Sequence, residues 1–176
     1  ARAEVAQLPA GHVPLIQSLL RWLRPAPRPI PEPLWRHACA RAAWLHALSA
    51  PRRERLRTLA ERFLHEKTLT PMGGLALSDE DVVLLAALCC LPLLRIGEVG
   101  LQGWSQLILY PEAFRVQRTH VDAAGVLHEW DDELIGESWD NGPLILSWAD
   151  ILADLQAPDE GFCVAVHEMA HKIDAL

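Results

Sequence analysis

The pentad His167-Glu168-Met169-Ala170-His171, near the end of the chain, constrains this sequence more than any other feature. Two histidines four residues apart on an α-helix project from one face, one turn apart, so their imidazoles can converge on a single Zn²⁺. The glutamate between them then stands beside the metal. The spacing therefore predicts a helix at 167–171, with His167 and His171 as metal ligands.

The residues before the pentad also favour a helix. An apolar run, Gly161 to Val166, leads into it, and Asp159 or Glu160 can lie at its N-terminus, where acidic groups interact favourably with the helix dipole. The run predicts a mostly buried helix, on which two histidines without a ligand or hydrogen-bond partners would be costly. The alternative is that both are core histidines satisfied by hydrogen bonds, without a metal.

Hydrolysis at such a site needs a base and, as a rule, three protein ligands with one open position. Glu168 is the candidate general base for a zinc-activated water. Cys163 lies one turn before His167 but a further turn from the metal, so we interpret it as a packing residue. Asp174 is better placed to orient an imidazole or to pair with Lys172 than to bind metal, and a surface or capping role is the alternative.

Composition narrows the class of protein. At 176 residues, with an apolar fraction of 51%, the chain is long enough for one domain with its own core. The net charge of −7 gives no general attraction for nucleic acid or anionic lipid, so we expect neither as a partner. The most apolar run, Val82 to Leu94, contains Pro92 and is shorter than the roughly twenty residues that a membrane span needs.

The cysteines indicate a reducing compartment. None of the four has metal-site or disulfide-scaffold spacing, and the adjacent Cys89 and Cys90 lie in an apolar run typical of small buried residues. We therefore expect a cytoplasmic protein. No signal peptide is visible, but the chain does not begin with Met.

The first 33 residues form an N-terminal part distinct from the rest. Residues 1–24 contain one amphipathic helical segment, and a proline-rich stretch follows to Pro33. We interpret that stretch as a stiff connector, with a recognition ligand as the alternative. Residues 34–176 are then the main domain.

The domain opens with helices. The pattern predicts helices at 34–48 and 51–67 with Ser49 as a cap, and a central buried helix from Ser78 to about Leu94. The arginines at the start of the second helix alternate with Glu54 and Glu61, which favours a solvated face over a basic patch.

Strands are predicted after Gly100, at 105–110, 113–119 and 126–130, extending through 131–138 and followed by 144–146. Ser147 then caps a short helix, 148–155. Helices, a small mostly antiparallel sheet and helices again indicate an α+β domain. By analogy with zinc peptidases of this type, 126–130 or 144–146 can border the cleft and pair with extended substrate, although an ordinary sheet edge is the alternative.

Several blocks of this sequence resemble the Mlc titration factor A family of zinc-dependent peptidases. The resemblance extends from about Pro31 to the pentad and its flank, and the residues that carry it are 63–67 (FLHEK), 71–74 (PMGG), 103–105 (GWS), 110–111 (YP), 136–140 (GESWD), 142–143 (GP), 146–148 (LSW) and 167–174 (HEMAHKID). Blocks spaced this widely are more specific than the pentad alone.

The resemblance implies a zincin-like fold and a zinc-dependent metallopeptidase with aminopeptidase-like activity on peptides. It also implies a second possibility, a regulatory protein that sequesters a transcriptional repressor. A non-peptide hydrolase with the same metal site stays open. In the family the third zinc ligand is a glutamate on a later helix, and a tyrosine lies near the metal; both follow the motif, and the given sequence reaches only Leu176. We therefore expect 34–176 to be the N-terminal portion of the metallopeptidase domain, incomplete at the zinc.

Overall fold

The computed structural model describes residues 26–112 and 142–176 and, between them, the backbone of the strands at 114–121, 127–134 and 136–138. The helices are α1 (Glu32–Arg41), α2 (Ala43–His46), α3 (Ala50–Glu66), α4 (Asp79–Cys90), α5 (Leu93–Ile96), α6 (Trp148–Gln156) and α7 (Val164–Asp174), with 3₁₀ helices at Gly97–Leu101 and Pro158–Glu160. The strands are β1 (Thr68–Pro71), β2 (Gln106–Tyr110), β3 (Phe114–Val121), β4 (Leu127–Leu134), β5 (Gly136–Ser138) and β6 (Leu144–Ser147). The amphipathic segment expected within residues 1–24 lies outside the described residues.

Helix α4 lies at the centre of the core, as predicted. Every residue from Val83 to Cys90 is buried, and the helix packs against α1, α3 and α7. It begins with a capping box, in which Asp81 N donates to Ser78 Oγ at 3.2 Å and Ser78 N donates to Asp81 Oδ2 at 3.0 Å. It ends at Cys90, earlier than expected, because Pro92 cannot donate to a continuing helical ladder.

The chain bends after α4. Residues 93–101 continue at 69° to it as α5 and the first 3₁₀ helix. Among the described helices, none is by itself long and apolar enough to cross a bilayer, and only this bent pair passes by length and composition.

The first helices differ from expectation in two details. The predicted 34–48 helix is broken at Ala42, whose φ of −120° and ψ of 118° are extended, giving α1 and α2. Ser49 occupies the N-cap position of α3, but its side chain makes no capping hydrogen bond. Within the proline-rich stretch, Ile30 is buried and its N–H donates to Glu61 Oε1 at 2.9 Å, so this part of the connector lies along α3.

The main sheet has the order β1-β2-β6-β5. The pairs β1–β2 and β2–β6 are parallel, and only the end strand β5 is antiparallel to its neighbour. The prediction of a mostly antiparallel sheet is therefore wrong for this sheet, because β2 pairs with strands from distant parts of the chain. The α+β class is confirmed, and β3 and β4 form a separate antiparallel hairpin, as a meander predicts.

Two strand predictions change with this topology. The strand β1 was not predicted, since it is only four residues long and ends in proline. Strand β6 is hydrogen-bonded on both sides, so 144–146 offers no free edge to a substrate; the edge strands of this sheet are β1 and β5. The prediction that 126–130 borders a cleft is untested; most of that range lies in the β3–β4 hairpin.

Candidate metal centre

The pentad lies on α7, as predicted, and its two histidines are on the exposed side of the helix. Helix α7 packs against α4 on one side and against β5 and β6 on another. Val164, Ala165 and Met169 fill this packed side, whereas His167 and His171 are exposed. The expectation that the histidines are buried is therefore wrong. Solvent and solutes can reach both rings.

The two imidazoles face each other across one helical turn. His171 Nε2 lies 3.2 Å from His167 Nε2, and the rings are nearly perpendicular, with centroids 4.7 Å apart. Glu168 lies one residue round the helix and is only 5% exposed. Potential ligand atoms of the three side chains all lie within 4.8 Å of one another. Among the described residues, these three side chains form the group that can hold a metal ion.

The N-terminus of α7 is capped by an acid that the sequence analysis did not identify. Val164 N donates to Asp154 Oδ2 at 2.7 Å. Burial raises the pKa of this carboxyl, and its hydrogen bond from Val164 N partly opposes that effect. The two acids expected at this position, Asp159 and Glu160, lie instead in the preceding 3₁₀ helix. An acid on the previous helix, α6, thus fixes where α7 begins.

A buried lysine fastens the other end of the motif. Lys172, next to the second histidine, is 2% exposed, and its Nζ donates to Gly142 O at 2.9 Å. Gly142 precedes β6, so the hydrogen bond joins the motif helix to the sheet. Asp174 is exposed on the last turn, and no hydrogen bond or ion pair is seen for it within the described part of the chain. Its predicted role beside an imidazole stays a prediction.

Two further side chains surround the first histidine. Phe162 is 41% exposed, and its ring centroid lies 5.6 Å from that of His167. Cys163 occupies the N-cap position of α7, where its carbonyl accepts from His167 N at 2.9 Å. Burial raises the pKa of the Cys163 thiol. This environment favours the neutral thiol over the thiolate that a metal ligand requires.

The histidine pair fits a tetrahedral zinc ion. Two nitrogens each about 2.0–2.1 Å from such an ion are about 3.3 Å apart, by simple geometry from the usual zinc–nitrogen distance. The observed separation of 3.2 Å matches this value. It also matches a hydrogen bond between one protonated and one unprotonated Nε2, which is the metal-free alternative.

Paired helix-borne imidazoles with a carboxylate between them, on an α+β scaffold, define a metallopeptidase type of site. Residues 19–176 match the family described as the glucose-regulated metallo-peptidase M90, and this chain belongs to that family.

Individual relatives agree with the family match. Mlc titration factor A from Escherichia fergusonii is 37% identical over 143 residues, which cover 81% of this chain and 53% of the relative. The protein of the same name from Enterobacter sp. (strain 638) is 40% identical over 130 residues, covering 74% of this chain and 48% of the relative. The chain spans about half the length of these curated relatives.

Proposed function

We propose that this chain carries the metal-binding helix of a zinc-dependent, zincin-like metallopeptidase. The observation that carries the proposal is the 3.2 Å separation of the His167 and His171 Nε2 atoms on an exposed helix face, with Glu168 between them in the sequence. Membership of a metallopeptidase family supports the same reading. Peptides are the proposed substrates, with aminopeptidase-like cleavage as the finer hypothesis.

The proposed chemistry divides between the metal and the helix. When bound, zinc supplies a Lewis acid and lowers the pKa of water at the site. His167 and His171 hold the ion through Nε2. Glu168 accepts a proton from the attacking water and delivers it to the leaving nitrogen of the peptide. The contacts of α7 with α4, β5 and β6 hold in place the helix that carries these side chains.

A catalytic zinc normally has three protein ligands, and this helix offers two imidazoles. We propose that the third comes from outside this chain, as the family resemblance implies. Metal affinity is then a property of the full-length gene product, while the 176-residue chain binds zinc weakly.

Elemental analysis of the purified full-length product tests the metal site. We expect about one zinc per molecule, since one tetrahedral site is proposed, and its loss in His167→Ala. The control is His65→Ala, which removes a histidine from α3, outside the pentad, and is expected to leave the zinc in place. Full-length protein without zinc would refute the proposal and favour the metal-free histidine pair.

Peptide hydrolysis tests the role of Glu168. Glu168→Gln preserves the shape of the side chain but cannot accept the proton, so we expect activity to fall at least 100-fold, the lower range for lost general-base catalysis. Zinc content should be unchanged. Glu160→Gln, at an exposed acid just before α7, is the matched control and should retain activity. Equal activity in Glu168→Gln would exclude Glu168 as the base.

A second candidate function rests on the name of the relatives, Mlc titration factor A. It is a regulatory protein that sequesters a transcriptional repressor, and such binding does not require hydrolysis. Glu168→Gln separates the two functions, because it should abolish hydrolysis and leave repressor binding intact. Loss of both together would argue against independent functions.

A further inference from the structure

The arginines of α3 fall into two groups. In the first, each guanidinium has a partner: Arg57 Nη1 lies 2.7 Å from Glu32 Oε2, Arg62 Nε lies 2.7 Å from Glu66 Oε1, and Arg53 Nη2 donates to the carbonyl of Leu48 at 2.9 Å. Arg57 and Arg53 join α3 to segments that precede it, whereas Arg62 and Glu66 pair within the helix. Of the two interleaved acids, Glu61 pairs with Arg57 at 3.5 Å.

The second group has no such partners. Arg52 and Arg55 are exposed, one turn apart on α3, and neither has an ion pair within the described part of the chain. Arg95 on α5 is also exposed and unpaired there. The three arginines, with Leu94, line one cleft of about 490 Å³. The arginines on this side of α3 are exposed, as a solvated face predicts, and together with Arg95 they line a basic cleft.

Arg55 extends from α3 towards the turn that follows α5. Gly97 in this turn has a φ of 75°, a conformation that side chains disfavour. Arg55 Nη2 lies 3.9 Å from the position that a Cβ on Gly97 would occupy. The guanidinium thus reaches from α3 to the end of α5, where Arg95 lies.

Three guanidinium groups and, among the residues that the structure describes, no acid line this cleft, in a chain whose net charge is −7. Such a lining attracts a polyanion. Guanidinium groups bind phosphate through two parallel hydrogen bonds, which makes arginine the usual residue for phosphate recognition.

We propose that the cleft formed by Arg52, Arg55, Leu94 and Arg95 binds a small molecule that carries two or more phosphate groups. Arg52 and Arg55 contact one phosphate from α3, and Arg95 contacts another from α5. Leu94 supplies the apolar surface for the rest of the ligand. This site involves none of the residues of the metal centre, so the proposal is independent of the proposed peptidase function.

Isothermal titration of the full-length protein with inorganic pyrophosphate tests the site, with sulfate at matched ionic strength as the competing simple anion. We expect one pyrophosphate per chain and clear preference over sulfate, because pyrophosphate can engage both sides of the cleft. The double variant Arg52→Gln/Arg95→Gln should weaken binding by about tenfold or more, through loss of charge-assisted hydrogen bonds.

The matched control is Arg36→Gln, which removes an arginine that is 71% exposed on α1, outside the cleft. It should bind pyrophosphate as the unaltered protein does. Unchanged binding in the double variant, or equal binding of sulfate and pyrophosphate, would overturn the proposal. Binding of an acidic peptide but not of pyrophosphate would also overturn it and identify the cleft as a protein-docking surface.

Discussion

Lys67, at the end of α3, is a buried cation with its charge satisfied by the main chain. It is 9% exposed, its Nζ donates to the carbonyls of Leu101 and Trp104, and it lies 4.0 Å from the centroid of the Trp104 ring. Burial lowers its pKa from 10.5 to about 8. The residue thus joins α3 to the loop before β2, at the cost of desolvating an ammonium group.

This lowered pKa predicts a pH dependence of stability. Between pH 8 and 10.5 the unfolded chain carries a proton on Lys67 that the folded chain has released, so the free energy of unfolding rises with pH across that window. The penalty is fully present below pH 8. We expect this rise to be on the order of 1 kcal/mol or more. Lys67→Met should lack it, as measured by urea unfolding at pH 7 and pH 10. Parallel changes in both proteins would mean that Lys67 titrates at its ordinary pKa.

The four cysteines differ in accessibility, which predicts their reactivity. Cys39, Cys89 and Cys90 are buried, whereas Cys163 is half-buried. Burial raises the pKa of the Cys89 and Cys90 thiols, so both stay protonated near neutral pH. We expect a thiol reagent at pH 8 to modify Cys163 first in the native protein and the others only on unfolding. Cys163→Ser should remove the early phase. Rapid reaction of Cys90 would contradict the packing of α4.

At the scale of the element, the caps of two helices allow a paired test. Ser78 Oγ accepts from Asp81 N at the start of α4, whereas Ser49 makes no such bond at the start of α3. Ser78→Ala should therefore lower the free energy of unfolding by about 1 kcal/mol, the usual value of an N-cap. Ser49→Ala, measured by the same chemical denaturation, should change it by much less. Equal effects would show that the Ser78 hydrogen bond is not what stabilises the helix start.

The same caps show which parts of the fold the sequence could predict. The starts of α4 and α6 depend on Ser78 and Ser147 and on residues three positions later, so a local pattern is sufficient. Strand direction depends on partners that are far apart, and alternation of apolar residues along β2 is the same in either direction. For this reason the strands after Gly100 were located, but β1 and the parallel pairing of the sheet were not.

The candidate metal centre likewise has features that the sequence could predict and features that it could not. The pentad is local, and its histidine pair was predicted from five consecutive residues. The exposure of the histidines, the cap of α7 and its attachment to the sheet were not predicted. Asp154 caps Val164 from ten residues away, and Lys172 bonds to Gly142, thirty residues away. The basic cleft was missed for the same reason, since Arg95 joins the arginines of α3 only after the chain bends at Pro92.

At the scale of the whole molecule, α4 connects the other elements, so its interior should control global stability. Leu88 is fully buried in this helix, whereas Val82 lies near its start and is only partly buried. Leu88→Ala should lower the free energy of unfolding by about 2–5 kcal/mol, as cavity-forming substitutions do. Val82→Ala should cost clearly less.

Native-state hydrogen exchange adds a second measurement to this prediction. The amides of α4 should exchange only through global unfolding, so Leu88→Ala should accelerate exchange throughout the core by the same factor. Acceleration confined to α4 would mean that the helix opens independently of the sheet.

The parallel sheet also has a consequence for how quickly the chain can fold. β1 meets β2, and β2 meets β6, through residues about 40 positions apart, so neither pairing forms until a long stretch of chain has been brought together. The entropy lost in closing such loops is not offset until the strands dock. Refolding should therefore be slower than for a helical bundle of this size. Because α7 packs against β5 and β6, we expect the surface that supports this helix to be completed late.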